Sequence, residues 1–138
     1  MYTYIATIKK VYDGDTVTVD IDLGFNINLY NQHVRLLGIN TPEIRTKNIL
    51  EKEAGIKVRE YVRGLMPIGS KVVFRSHSIK GKFGRILGDF ELLNLPLTNA
   101  SNQRSLCEHL YMKKYALSYF GGKKEQFSNL FLEDIISN

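Results

Sequence analysis

Regular alternation over residues 15–23 constrains the fold of this chain more than any other feature. Four apolar residues of this stretch would share one face of a strand, and four polar residues would share the other. The dipeptide Asp13-Gly14 precedes the stretch and favours a tight turn. We therefore predict a hairpin of two strands, at 2–12 and 15–23, with one buried face and one face in water.

The rest of the chain alternates between short strand patterns and helical patterns. Further strands are predicted at 33–40, 70–76 and 83–93, and helices at 49–65, 104–115 and 124–136, whereas 24–32 is predicted to be a loop or a hairpin turn. This order favours a small antiparallel barrel decorated with helices. We predict an α+β, mainly β fold, a five-stranded OB-fold barrel with about three helices, formed as one domain over 1–138.

Composition narrows the classes of partner and compartment. The net charge of +5 favours a polyanion such as nucleic acid. Cys107 is the only cysteine, which excludes a disulfide within the chain, and we expect it to be a buried apolar residue. No signal peptide and no apolar run of about 18 residues are visible. We expect a cytoplasmic monomer without a membrane partner, or a secreted protein if an export segment was removed.

Three charged residues lie on alternations that are otherwise apolar. Asp15 shares its alternation with Val17 and Val19, Arg35 with Leu37 and Ile39, and Arg85 with Leu87. Buried charges are costly unless they are paired, hydrogen-bonded or bound to a metal. Taken singly, the aspartate can be a turn residue and each arginine can extend its head group to solvent. Taken together, their positions near strand ends indicate convergence at one mouth of the barrel.

Such a set of charges suits phosphodiester cleavage. A divalent cation held by Asp15 and neighbouring oxygens would neutralise a phosphate. Glu43, which follows the strand stop at Pro42, could orient or deprotonate a water molecule, although it could also simply cap the turn. Two guanidinium groups could bind the non-bridging oxygens as negative charge develops on them.

Several segments of the chain match a known family. The segments "DGDT" at 13–16, "VRLLGINTPE" at 34–43 and "KFGR" at 82–85 resemble, in order and spacing, the signature segments of the staphylococcal nuclease (thermonuclease) family. The segment "YALSYFGGKK" at 115–124 is similar to the closing segment of its compact bacterial and phage-type members. The resemblance covers roughly residues 3–124.

The resemblance implies an OB-fold barrel and a calcium-dependent nuclease that binds one Ca²⁺ ion. Such an enzyme hydrolyses DNA and RNA, leaves 3′-phosphate ends and is expected to prefer single strands. Carried over by position, it implies metal binding by Asp15, Asn40 and Thr41, catalysis by Arg35, Glu43 and Arg85, and substrate contacts by Lys82, Phe83 and Tyr119. Glu43 would position the attacking water, and the two arginines would stabilise the transition state.

The chain also departs from the family pattern. Asn40 stands where the best-known member carries a second calcium-binding aspartate, and one carboxylate fewer weakens the attraction for the cation. Phe83 replaces a tyrosine, and Gly81 stands where an acidic residue is common. These departures leave both arginines and Glu43 unchanged, so they bear on metal affinity more than on the chemical step.

A non-catalytic OB-type module that binds single strands is the alternative function. Basic clusters could form a rim that follows a phosphate backbone, at Lys9-Lys10, Lys80 with Lys82, Lys113-Lys114 and Lys123-Lys124. Aromatic residues between them could stack bases or belong to the core, namely Tyr111, Tyr115, Tyr119 and Phe120. The presence of both acids and both arginines favours the enzyme, and Asn40 alone favours the binding module.

Overall fold

A computed structural model describes residues 2–80, 84–95 and 104–138, with only the backbone described for 78–80. In chain order the elements are β1 (Tyr2–Asp13), β2 (Thr16–Asp22), β3 (Asn28–Leu36), β4 (Ile39–Asn40), α1 (Ile49–Leu65), β5 (Lys71–Lys80), β6 (Ile86–Glu91), α2 (Leu106–Met112), β7 (Leu117–Ser118) and α3 (Asn129–Ser137). Within the described ranges, five strands close a barrel in the order β1-β2-β3-β6-β5, and β4 pairs with β7. The predicted α+β fold with a five-stranded OB-type barrel and three helices is confirmed.

The barrel is mixed rather than antiparallel. Four of its strand pairs are antiparallel, and β3 runs parallel to β6, with Val34 opposite Ile86. A closed ring with an odd number of strands cannot alternate direction at every pair, so one parallel pair is unavoidable. The expectation of an antiparallel barrel was wrong for this geometric reason.

The interior of the barrel follows the predicted alternation of β2. Val17, Val19 and Ile21 are buried, and the rings of Phe74 and Phe90 meet in the core with centroids 5.3 Å apart. Apolar burial of this kind is the main favourable term in folding. Cys107 is also buried, as expected.

Helix α1 has the predicted bounds because both of its ends carry sequence signals. The Asn48 side chain caps the start by accepting a hydrogen bond from the Glu51 N–H, and the chain reaches Pro67 just after the end. One face of the helix is buried, through residues such as Val58 and Val62, and α3 packs against it. Lys57 joins the two helices by donating to the Ile136 carbonyl at 3.0 Å.

The other helices are shorter than predicted. Helix α2 occupies 106–112 of the predicted 104–115, because Ser105 caps its start and Lys114 adopts a positive φ of 63° just beyond its end. Helix α3 begins at Asn129 rather than near 124, because Ser128 is its N-cap. No helix among the described residues is long and apolar enough to cross a membrane.

Strands β3 and β6 also differ from the prediction. Strand β3 begins at Asn28, inside the predicted loop, and its first residues are exposed, so no apolar alternation marks them. It ends at Leu36 instead of residue 40, because Gly38, with φ of 82°, makes a turn before β4. Strand β6 spans 86–91 of the predicted 83–93.

Candidate functional site

Asp15 lies buried at the end of the barrel where β2 begins. Its side chain accepts a hydrogen bond from the Thr41 N–H at 2.9 Å through Oδ2 and another from the Thr16 hydroxyl at 3.1 Å through Oδ1. The residue is only 5% exposed. The carboxylate therefore joins the start of β2 to the segment after β4, 26 positions along the chain.

Arg35 is the buried cation of this end of the barrel. Its Nη1 lies 3.3 Å from Asp15 Oδ2 and donates to the carbonyls of Leu36 and Ile39 at 3.1 and 2.9 Å. Strand β2 pairs Thr16 with Arg35, which sets the arginine beside the aspartate. Arg35 is only 6% exposed, and a charge buried this far is strongly unfavourable without an opposite charge and hydrogen bonds. Asp15 and Arg35 therefore each depend on the other.

The alternation that singled out the two arginines was wrong in detail. Val34 and Leu36 are the fully buried residues at the end of β3, and the turn at 37–38 interrupts the alternation before Ile39. Arg35 is nevertheless buried, because its guanidinium is enclosed by Asp15 and the backbone around β4. Arg85 likewise precedes β6, whose buried residues are Gly88 and Phe90 rather than Leu87.

Asn40 and Thr41 complete the buried part of the site. Pairing of β4 with β7 holds Asn40 opposite Leu117, and Asn40 Oδ1 lies 3.5 Å from Arg35 Nη2. Both residues are less than 5% exposed. Thr41 Oγ1 is buried and has no hydrogen-bond partner within the described part of the chain.

Glu43 stands at the exposed rim of the same site, and α1 fixes its backbone. The Glu43 N–H donates to Glu51 Oε2 at 3.0 Å, and the helix passes so close that a Cβ on Gly55 would lie 2.8 Å from the Pro42 carbonyl oxygen. The Glu43 carboxylate is about half exposed, with Lys124 Nζ 3.6 Å from Oε1. The Glu43 carboxylate is therefore open to solvent on a backbone that α1 fixes.

Asp13 also belongs to the site, although the dipeptide Asp13-Gly14 had indicated only a tight turn. Its Oδ1 is buried and unpartnered within the described residues. Burial, reinforced by the negative charges of Asp15 and Glu43, raises the pKa of Asp13 to about 6. The sequence signal for this role was a second aspartate two residues before Asp15, but we had interpreted Asp13 as a turn residue.

The donor atoms at this end of the barrel fit a hard divalent cation. Asp13 Oδ1 and Thr41 Oγ1 are buried oxygens with no hydrogen-bond partner among the residues that the structure describes. Carboxylate, amide and hydroxyl oxygens are the ligands that calcium and magnesium prefer. Among the residues described, no group of three histidine, cysteine, aspartate or glutamate side chains could hold a metal ion by itself. A cation here would depend on Asn40, the Thr41 oxygens and water in addition to Asp15.

Tyr119 lies against the buried arginine, and the strand pair β4–β7 brings it there. Its N–H donates to the Gly38 carbonyl at 2.9 Å, and its ring centroid is 5.9 Å from Arg35 Cζ and 5.8 Å from Lys124 Nζ. Of the other aromatic residues that could stack bases, Tyr115 is buried in the core, whereas Tyr111 and Phe120 are exposed.

The remaining predicted residues are placed less completely. Arg85 is half-buried just before β6, and the parallel pairing of Ile86 with Val34 sets its backbone beside the end of β3. Lys82 and Phe83 lie outside the described residues. The structure thus brings together Asp15, Arg35, Asn40, Thr41, Glu43 and Tyr119. It also adds Lys124, which was predicted only as part of the basic rim, and three residues that sequence reasoning had missed, namely Asp13, Glu51 and Gly55.

The chain matches no family model and no curated protein. Membership of the staphylococcal nuclease family therefore remains a proposal that rests on the motifs and on the geometry of this end of the barrel.

Proposed function

We propose that this protein is a metal-dependent nuclease of the staphylococcal nuclease family that hydrolyses phosphodiester bonds in DNA and RNA. One observation carries the proposal. The buried pair of Asp15 and Arg35 lies beside buried oxygens of Asp13 and Thr41 that have no partner among the described residues. A buried ion pair is seldom a net source of stability, and buried titratable groups cluster at functional sites, which supports a role in binding a cation and a phosphate.

The chain's own residues divide the proposed reaction among themselves. Glu43 would accept a proton from the attacking water, because its carboxylate faces solvent while its backbone is held by Glu51. Arg35 and Arg85 would donate hydrogen bonds to the phosphate oxygens as negative charge builds on them. Guanidinium groups suit this role because their planar donors match two oxygens at once.

The proposed cofactor is one calcium ion. Asp15, Asn40 and the Thr41 carbonyl would hold it. Burial and the negative charges of Asp15 and Glu43 raise the pKa of Asp13, and a cation bound beside these acids would offset their charge. When bound, a divalent cation supplies charge neutralisation at the phosphate. With a single full carboxylate ligand in this set, we propose weak affinity for the ion.

The proposed substrates are DNA and RNA, with single strands preferred and 3′-phosphate products. Tyr119, Lys82 and Phe83 would contact the nucleotide. The net charge of +5 supports a polyanionic substrate. We propose that the protein acts as a monomer.

A catalytically weak or inactive nucleic-acid-binding module is the second candidate. It is favoured by Asn40, whose Oδ1 lies 3.5 Å from Arg35 Nη2 and so already has a partner in the protein. An amide in this arrangement contributes no charge to a cation site. The two candidates differ in turnover, which makes them separable by one assay.

A nuclease assay tests the proposal. Single-stranded DNA and RNA are incubated with the protein in calcium, magnesium, manganese or chelator, beside the variant Glu43→Gln and the control Glu133→Gln, an exposed acid on α3. We expect cleavage with calcium, none with chelator, and a loss of about 10²-fold or more in Glu43→Gln only. Cleavage that persists in chelator would exclude the metal-dependent mechanism, and binding without cleavage would favour the second candidate.

A further inference from the structure

Two cations lie close to the ring of Tyr12, near the end of β1. Lys10 Nζ lies 5.1 Å from the ring centroid, and Arg45 Cζ lies 5.3 Å from the same centroid. Lys10 comes from β1 and Arg45 from the loop between β4 and α1, so the ring gathers charges from two separate segments. Cation–π contacts at these distances hold both side chains in place.

Neither cation is paired with a carboxylate in the part of the chain that the structure describes. Among the described residues, the ion pairs to carboxylates do not include Lys10 or Arg45, whereas the adjacent Lys9 pairs with Asp20 at 3.5 Å. Two positive charges without a carboxylate partner make the potential around the Tyr12 ring positive, and that potential attracts an anion. The arrangement is therefore suited to an anion supplied from outside.

Lys10, Tyr12 and Arg45, which we call the Tyr12 cluster, are close in sequence to residues of the candidate site. Tyr12 immediately precedes Asp13, and Arg45 follows Glu43 by two residues. It is separate from the cations around Tyr119, which are Arg35 and Lys124. A single-stranded nucleic acid with its scissile phosphate at the candidate site carries further phosphates along its backbone. Some of these phosphates would then come near the Tyr12 cluster.

We propose that Lys10, Tyr12 and Arg45 form a second phosphate-binding subsite for single-stranded nucleic acid, outside the scissile position. This inference rests on the proposed function for its choice of ligand. The two cations attract the phosphates of the backbone, and the Tyr12 ring restricts where the cations can lie. The subsite contributes affinity and does not take part in the chemical step.

Binding in the presence of chelator tests the subsite without cleavage. Fluorescence anisotropy measures the affinity for a labelled oligothymidylate of about 12 nucleotides over a range of salt concentrations. The double variant Lys10→Gln/Arg45→Gln is compared with Lys52→Gln/Lys71→Gln, which removes the same charge from two exposed lysines outside the basic rim. We expect about tenfold weaker binding for the first variant only, and a salt slope reduced by about 0.7 for the loss of one phosphate contact.

Two single variants examine the role of the ring. Tyr12→Ala should weaken binding because it releases both cations, whereas Tyr12→Phe keeps the aromatic face and should bind like the wild type. Equal affinities for the two double variants would overturn the subsite, even if the wild type cleaves nucleic acid. Loss of binding in the Lys10→Gln/Arg45→Gln variant of a protein that never cleaves would support the subsite and refute the nuclease.

Discussion

Replacing Gly55 with alanine tests whether α1 positions Glu43. The glycine lies in the middle of α1, where the helix crosses the backbone of Pro42 and Glu43. An added Cβ would lie 2.8 Å from the Pro42 carbonyl oxygen and 2.9 Å from that of Glu43, against the 3.4 Å at which ordinary contact begins. Both neighbours are backbone atoms and cannot rotate away, so the helix or the Glu43 segment must shift by about 0.6 Å.

The expected effects on stability and on turnover differ. Overpacking costs about 1–3 kcal/mol, and the better helix propensity of alanine returns about 1 kcal/mol, so we expect a net destabilisation of about 0–2 kcal/mol. A displacement of about 1 Å can cost about 10²-fold in rate, so half of that displacement at Glu43 should cost about tenfold. Turnover should therefore fall by more than stability alone explains, since a protein destabilised this little remains folded.

Gly64→Ala is the matched control, because Gly64 lies in the same helix and a Cβ there would meet nothing within 4 Å. We expect this variant to gain about 1 kcal/mol and to keep wild-type turnover. Urea unfolding and initial cleavage rates at saturating calcium measure the two quantities. Wild-type turnover in Gly55→Ala would refute the positioning of Glu43 by α1.

Three further variants address the buried groups. In chelator, Asp13→Asn should raise the free energy of unfolding above pH 6 and have no effect below pH 3.8, because the pKa of Asp13 rises from 3.8 to about 6 on folding. This rise in pKa corresponds to about 3 kcal/mol, which solvent screening reduces to about 1–2 kcal/mol. Equal free energies of unfolding for Asp13→Asn and the wild type near pH 8, measured with urea, would contradict this expectation. Asn40→Asp should tighten calcium binding by about tenfold, measured as the calcium dependence of Tm, and an unchanged titration would remove position 40 from the ligands. Arg35→Lys should lower kcat by about 10²-fold, and a near-normal rate in the folded variant would exclude Arg35 from the transition state.

The parts of the fold that could be predicted are those in which local signals agree with tertiary structure. Helix α1 was predicted with its observed bounds because capping, periodicity and the following Pro67 all coincide. Strand β2 was predicted because one of its faces is buried and the other is not. The beginning of β3 was missed because its side chains there are exposed, and its pairing with β2 is a property of the backbone that side-chain patterns do not record.

Within the site, the acidic and basic motif residues could be identified, but their surroundings could not. Asp15 and Arg35 were predicted to meet, and their separation of 3.3 Å places them in contact. The role of Gly55 depends on how closely a helix passes a loop, which no local pattern encodes. Asp13 was missed because its side chain is buried by distant segments, which leaves Oδ1 without a partner among the described residues.

The pairing of β4 with β7 makes the site a late product of chain assembly. Asn40 is held opposite Leu117, and the Tyr119 N–H donates to the carbonyl of Gly38, so segments about 80 positions apart must meet before this end of the barrel is closed. A ribosome adds residues in order, and the earlier strands emerge long before residue 117. A nascent chain would therefore hold its acids and arginines without this arrangement, and the proposed nuclease would gain its site only after synthesis has passed this strand.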